Sequence, residues 1–279
     1  MYYLETNAIR ILSNKLKGQY YVDKCYTSVL SVCELLSGIK DEDTFNLRKG
    51  IISKVYLSKI PADLDMPETK MFKAYDIHID NTISDKIILL GFLCVTSKFY
   101  TEFLTIIKQS NLIDYWEFLK KYDKSADIKF KESLKNRQKD FDYSDPNLIP
   151  DFNQKWNNLS INNELKERIL YDLIVYFAEE KLKPDSIIKV IDKSLKDLIR
   201  EYDHSLDLYF LCIGAFTGEK IIFRNTPSRN DYFDLSHLMF LRNKSDIIVS
   251  NDSMLTKLMR KISPDNILSI SDLESIIEK

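Results

Sequence analysis

Glycine and proline are scarce in this chain of 279 residues, with 6 and 7 copies. So few chain-breakers exclude a turn-rich sandwich and point to long helices. They also leave little material for a glycine-rich phosphate loop. The nearest approach, GAFTGEK from Gly214 to Lys220, has the wrong spacing and no Ser or Thr after its lysine. Cysteine is sparse too: Cys25, Cys33, Cys94 and Cys212 form no CxxC pair and lie mostly in apolar segments. They read as small buried hydrophobes in a reducing compartment, not as a disulfide frame or a zinc site. The 3 histidines are far apart, which argues against a His-rich metal site. Long hydrophobic runs are also missing. IILLGFLCV, from Ile87 to Val95, is about half the length of a membrane span. Glu5 and Arg10 interrupt the region where the apolar core of a signal peptide would lie. A cytoplasmic protein without membrane attachment is therefore expected. A net charge of -2 singles out no partner, because local patches matter more than totals.

What is present is a pattern of strand–helix units at both ends with helices between. YYLETN reads as a strand, and AIRILSNKLKG as a helix with Ile9, Leu12 and Leu16 on one face and Gly18 as its stop. A short strand is expected around Tyr26 to Ser28, then a helix carrying Glu34, then charged helices to about Asp76. From about Ser84 to Thr217 the pattern is almost purely helical, with FDYSDPNLIPDFNQ as a proline-bearing loop and PDSIIKVIDKSLKDLIREY as one of the helices. At the end, DIIV is a buried strand, SMLTKLMRKI a helix, ILSI a last strand and SDLESIIEK a closing helix. The fold class expected is α/β, with a central parallel sheet assembled from residues 1–80 and 220–279 and a large all-helical insertion over residues 81–219.

Four acids occupy suggestive places. Glu5 ends the first strand, Glu34 sits on the helix after the second, Asp234 opens the helix FDLSHLMFLRN, and Asp252 ends the strand IIVSND. In an open parallel sheet, functional groups gather outside the carboxyl ends of the strands. Carboxylates crowded there repel one another, and a hard divalent cation relieves the repulsion. Such an ion also activates water and neutralises a phosphodiester. Each acid has a bland reading as well: Asp231, Asp234 and Asp252 as helix caps, Glu34 as a solvated helix residue, Glu5 as a strand-end charge. Position alone does not decide between the readings.

The joint order of these segments resembles the PIN-domain ribonuclease family. YLETN is similar to its opening strand followed by Asp-Thr-Asn or Asp-Thr-Ser. TSVLSVCELLSGI resembles its Ser/Thr–Val segment leading into a helical Glu. FDLSHLMFL and DIIVSND resemble its C-terminal half, and together the likeness covers roughly the first 60 and last 55 residues. The resemblance implies a PIN-like three-layer fold and hydrolysis of RNA, with Mg2+ or Mn2+ held by Glu5, Glu34, Asp234 and Asp252. Asn7 and Asn251 would orient carboxylates or water, and Asp231 would be a further acid. The family often supplies the toxin of a toxin–antitoxin pair, so an antitoxin or other protein partner on the insertion and self-association are both open. Two features depart from the family pattern. Glu5 stands where Asp is usual, one methylene farther out, so either the backbone shifts or metal affinity falls. The helical block has no counterpart in small members. A catalytically weak PIN-like module that binds RNA or protein is the alternative.

Three further features are ambiguous. His237 either touches phosphate and orients Asp234, or is a helix histidine bonded to backbone or carboxylate. The lysine-rich stretch from Lys120 to Lys139 is either a phosphate-tracking face or a solvated helix. Arg224 and Arg229, just before the Asp234 helix, are better placed to meet a substrate backbone.

Overall fold

The computed structural model describes residues 1–79, 82–159, 161–182 and 193–278. Five short strands form one parallel sheet in the order β3-β2-β1-β4-β5. They are β1 (Tyr2–Leu4), β2 (Cys25–Ser28), β3 (Ala62–Asp63), β4 (Ile247–Val249) and β5 (Ile267–Leu268). Tyr2 pairs with Cys25 on one side and with Ile247 on the other, so the two chain ends meet at the central strand. The chain steps outward from β1 to β2 and β3, then returns to the far side of β1 for β4 and β5. In open α/β sheets such a reversal, here between β1 and β4, is where functional groups gather outside the strands' carboxyl ends.

The first half of the sheet is linked by α1 (Thr6–Leu12), α2 (Gln19–Lys24), α3 (Val29–Ser37) and α4 (Glu42–Ser58), with α5 (Pro67–Lys73) after β3. Gly18 does not stop the first helix, which ends at Leu12; it precedes α2 as that helix's N-cap. The remaining helices before β4 are α6 (Thr82–Thr96), α7 (Tyr100–Gln109), α8 (Ile113–Asp140), α9 (Leu148–Asn157), α10 (Asn163–Glu180), α11 (Leu195–Glu201), α12 (Asp207–Ile222) and α13 (Asp231–Ser236). The expected proline loop is half helix, because Pro150 falls in the first turn of α9, where its missing N–H has no helical partner to lose. The first part of the expected PDSIIKVIDK helix and the 80/81 boundary lie outside the described residues. After β4 come α14 (Ser253–Ile262) and α15 (Ile270–Ile277).

Helix α3 explains how the helical region joins the sheet. Val29, Leu30, Ser31, Val32, Cys33, Leu35 and Leu36 are all buried, because α6 and α8 pack on it while it leaves directly from β2. One hydrophobic cluster runs from Tyr3 and Val249 in the sheet through Leu90 in α6 and Trp116 in α8 to Phe210 in α12. The four cysteines are buried and none is in a disulfide among the described residues, as read from the sequence. Among the described residues no helix is long and apolar enough to cross a membrane.

Candidate active site at the sheet's carboxyl edge

Glu5 follows β1 directly and is only 4% exposed. It is the N-cap of α1: its carboxylate accepts from the Asn7 N–H at 2.6 Å and the Ala8 N–H at 3.3 Å. Burial pushes its carboxyl above the ordinary range, opposed by the His237 charge and the Asn7 N–H.

Glu34 is the single acid on the buried helix α3, and it is not a solvated residue. His237 Nε2 lies 2.8 Å from its Oε2, and the Thr6 hydroxyl donates to the same oxygen. The other ring nitrogen, Nδ1, is 2.6 Å from the Tyr3 hydroxyl, which is 2.7 Å from Ser28 Oγ. With the ring protonated, Nδ1 donates to the Tyr3 oxygen and the Tyr3 O–H donates to Ser28. The chain Glu34–His237–Tyr3–Ser28 thus ties α3, the turn after α13, β1 and β2 together. Burial of His237 favours the neutral ring, but Glu34, Glu5 and Asp234 outweigh it and raise its pKa.

Asp234 does not open its helix. Helix α13 starts at Asp231, which leaves Asp234 one turn in, without a capping role. Among the described residues its carboxylate makes no hydrogen bond. Burial first, then repulsion from Asp252, Glu34 and Glu5, pushes its carboxyl up to about 8, against the opposing pull of His237. Asp252 follows β4 by three residues and caps α14, accepting from the Leu255 N–H at 2.7 Å. A fifth edge acid, Asp63 at the end of β3, is different: Lys70 neutralises it at 2.5 Å.

The other expected residues are less involved. Asp231 turns both oxygens to Ser228, with the backbone N–H at 2.7 Å and the hydroxyl also bonded, so it shapes the turn before α13. Asn251 accepts from the Ile270 N–H at 3.0 Å and ties β4 to the start of α15. Asn7 is exposed and contributes its backbone N–H to Glu5. Arg224 stacks on Tyr143 at 3.8 Å and Arg229 is exposed; among the described residues neither contacts the carboxylates. The Lys120 to Lys139 stretch lies in α8, where Lys131 is paired with Asp127 at 2.8 Å and Lys120 stacks on Trp116 at 5.0 Å.

Sequence reasoning passed over Tyr3, Thr6, Ser28 and Arg48. Tyr3 and Ser28 read as ordinary strand residues, yet each is buried with a polar group that must find a partner. Arg48 of α4 is partly buried, and its pKa is lowered by burial and by Arg10, against the attraction of Glu34. It is a second group, beside His237, whose charge is linked to Glu34, a role that spacing along the chain did not signal.

All four acids offer hard oxygen donors, which suits Mg2+ or Mn2+. Their placement is looser than a closed ligand set: among the described residues no three His, Cys, Asp or Glu side chains stand together closely enough to hold one ion. Hydrogen bonds elsewhere account for this in Glu5, Glu34 and Asp252. Asp234 is the exception. Compared with protein-family models, with curated proteins and with solved structures, the chain matches none.

Proposed function

We propose that this protein is a divalent-metal-dependent ribonuclease with a PIN-like core and the helical block inserted into it. The observation that carries the reading is the placement of Glu5, Glu34, Asp234 and Asp252, four acids from separate elements around one sheet edge, with Glu34 bonded to Thr6 beside Glu5 and to His237 one turn past Asp234. A partly buried carboxylate without a donor, near others of its kind, calls for a cation. Asp234 and Asp252 would hold Mg2+ or Mn2+, with Glu34 and Glu5 joining them. When bound, that ion supplies an activated water and charge neutralisation at a phosphodiester.

The chain's own residues have distinct tasks. His237 and Thr6 hold Glu34 in one orientation, and Tyr3 fixes the His237 ring from its far side. Arg48, linked electrostatically to Glu34, is the cation suited to a substrate phosphate. Arg224 and Arg229 then serve, if at all, farther along an RNA strand. A toxin role, with an antitoxin on the helical block, is one setting for such an activity.

Purified protein should cut a single-stranded RNA oligonucleotide with Mn2+, stop in chelator, and stop in Asp252→Asn. Intact RNA under all these conditions would overturn the reading. A specific observation favours a second reading, the catalytically weak binding module. His237 already occupies Glu34 at 2.8 Å, and Glu5 is committed to the α1 N-terminus. Tight RNA binding with no metal-dependent cleavage would select it.

A further inference from the structure

A cavity lies where the helical block meets α5 and α13, and not at the carboxylates. It encloses about 750 Å³ between α5, α8, α10, α12 and α13, a size that suits a small-molecule ligand. On α8 the lining residues Ala126, Phe130, Ser133, Leu134 and Arg137 recur at helical spacing, so one whole face of that helix is turned to the cavity. Its walls are rich in rings: Phe118, Phe130, Tyr176, Phe177 and Tyr232 all contribute.

The charged groups around it are unbalanced. Glu68 is the single acid in the lining, and the Tyr122 hydroxyl binds its carboxylate at 2.6 Å. Lys129, Arg137 and Lys181 are the cations, and none has an ion-pair partner among the described residues. Arg137 sits over the Tyr176 ring at 4.5 Å, which holds its guanidinium at the wall. The cavity therefore joins flat apolar walls to an uncompensated positive group.

We propose that this cavity binds a small amphipathic anion, a molecule with an apolar ring-bearing body and one carboxylate, phosphate or sulfonate. The rings pack on Phe130 and Phe177, and the anion meets Arg137 with Lys129 or Lys181. The inference does not rest on the nuclease reading. The two places are nevertheless physically joined, because Tyr232 lines the cavity two residues before Asp234 on α13.

The test uses 8-anilinonaphthalene-1-sulfonate with the full chain, followed by fluorescence and calorimetry, with near-ultraviolet circular dichroism as the check on folding. One saturable site is expected, binding at least about tenfold more tightly than the uncharged N-phenyl-1-naphthylamine. Lys129→Gln, Arg137→Gln and Lys181→Gln together should erase that difference by weakening the sulfonate probe far more than the uncharged one. Ser133→Trp should block both probes by filling the cavity, and Ala126→Phe serves the same purpose from another position if the first variant does not fold. Naphthoate should displace the probe at lower concentration than laurate; the reverse order would overturn the ring-bearing body. No saturable binding, equal affinity for the two probes, or binding untouched by the filling variants would overturn the site.

Discussion

Replacing Asp234 by asparagine should make the metal-free protein more stable at pH 8. The carboxyl rises from an ordinary 3.8 to about 8, because it is buried and faces Asp252, Glu34 and Glu5. A raised acid pKa means the folded state holds the proton more tightly than the unfolded chain does. Its stabilising contribution is full below the ordinary carboxyl range and is lost as pH rises through about 8. Each pKa unit corresponds to about 1.4 kcal/mol, so ionised Asp234 costs the fold several kcal/mol. Asparagine keeps the shape and removes the charge but brings a polar amide that also needs partners. A net gain of roughly 2–3 kcal/mol is expected, or about 4–10 °C in melting temperature for a chain of this size. The assay is thermal and urea unfolding of both proteins from pH 5 to pH 8.5 in chelator. Wild type should weaken with rising pH more steeply than the variant, and the curves should cross at about pH 6, with wild type the more stable below it. Manganese should then stabilise wild type by about 2–3 kcal/mol at a hundredfold excess over its dissociation constant, and the variant much less. A variant equal to or weaker than wild type at pH 8 in chelator would refute the reasoning.

Tyr3→Phe leaves His237 Nδ1 and Ser28 Oγ facing each other without the hydroxyl between them, and should cost about 1–3 kcal/mol in urea unfolding. Asp246→Asn should cost about 2–4 kcal/mol near pH 7, since the buried carboxylate accepts from the Met1 ammonium, Tyr26 and the Arg242 N–H. Burial raises that carboxyl but these donors outweigh it and hold the pKa low, so the cost should shrink as pH falls through the folded pKa. Gly91→Ala should destabilise by about 1–2 kcal/mol despite better helix propensity, because the added carbon would sit 2.5 Å from the Tyr56 hydroxyl, which is anchored to the Ile88 carbonyl at 2.8 Å. Unchanged urea midpoints would contradict these packing arguments.

The α/β class and the meeting of the chain ends were legible because β1 and β4 are apolar runs with abrupt polar ends. Strand β3 was not legible. Two residues give no alternation to detect, and Ala62 and Asp63 become a strand only because β2 presents an open edge. The start of α13 was misjudged by three residues for a local reason. Asp231 and Asp234 are both acids of the kind that open helices, and only the Ser228 contacts show that Asp231 holds that end. Partners far apart in sequence were beyond reach as well. Nothing in YYL signals that the second tyrosine will bond a histidine 234 residues away.

Glu5, Glu34, Asp234 and Asp252, the four expected ligands, are not equally available to a metal, and Glu5 and Asp252 are the clearest case. Both acids are helix N-caps, and each spends a carboxylate oxygen on backbone N–H groups that an ion would have to displace. Glu5 is the more committed, because its longer side chain folds back over the first turn of α1 and reaches two N–H groups. Glu34 already has the His237 ring at 2.8 Å and the Thr6 hydroxyl as partners. Asp234 alone has burial and repulsion without a donor, and its largest charge interaction is with Asp252. An incoming cation should therefore settle on the Asp234–Asp252 pair and recruit Glu5 last. On that order, the extra methylene of Glu5 weakens metal binding by what the α1 cap must give up, about 1 kcal/mol, and not by misplacing the primary ligands. Glu5→Asp should then change manganese affinity less than tenfold in calorimetry, while Asp234→Asn should abolish binding. A reversal of those two results would return Glu5 to the centre of the site.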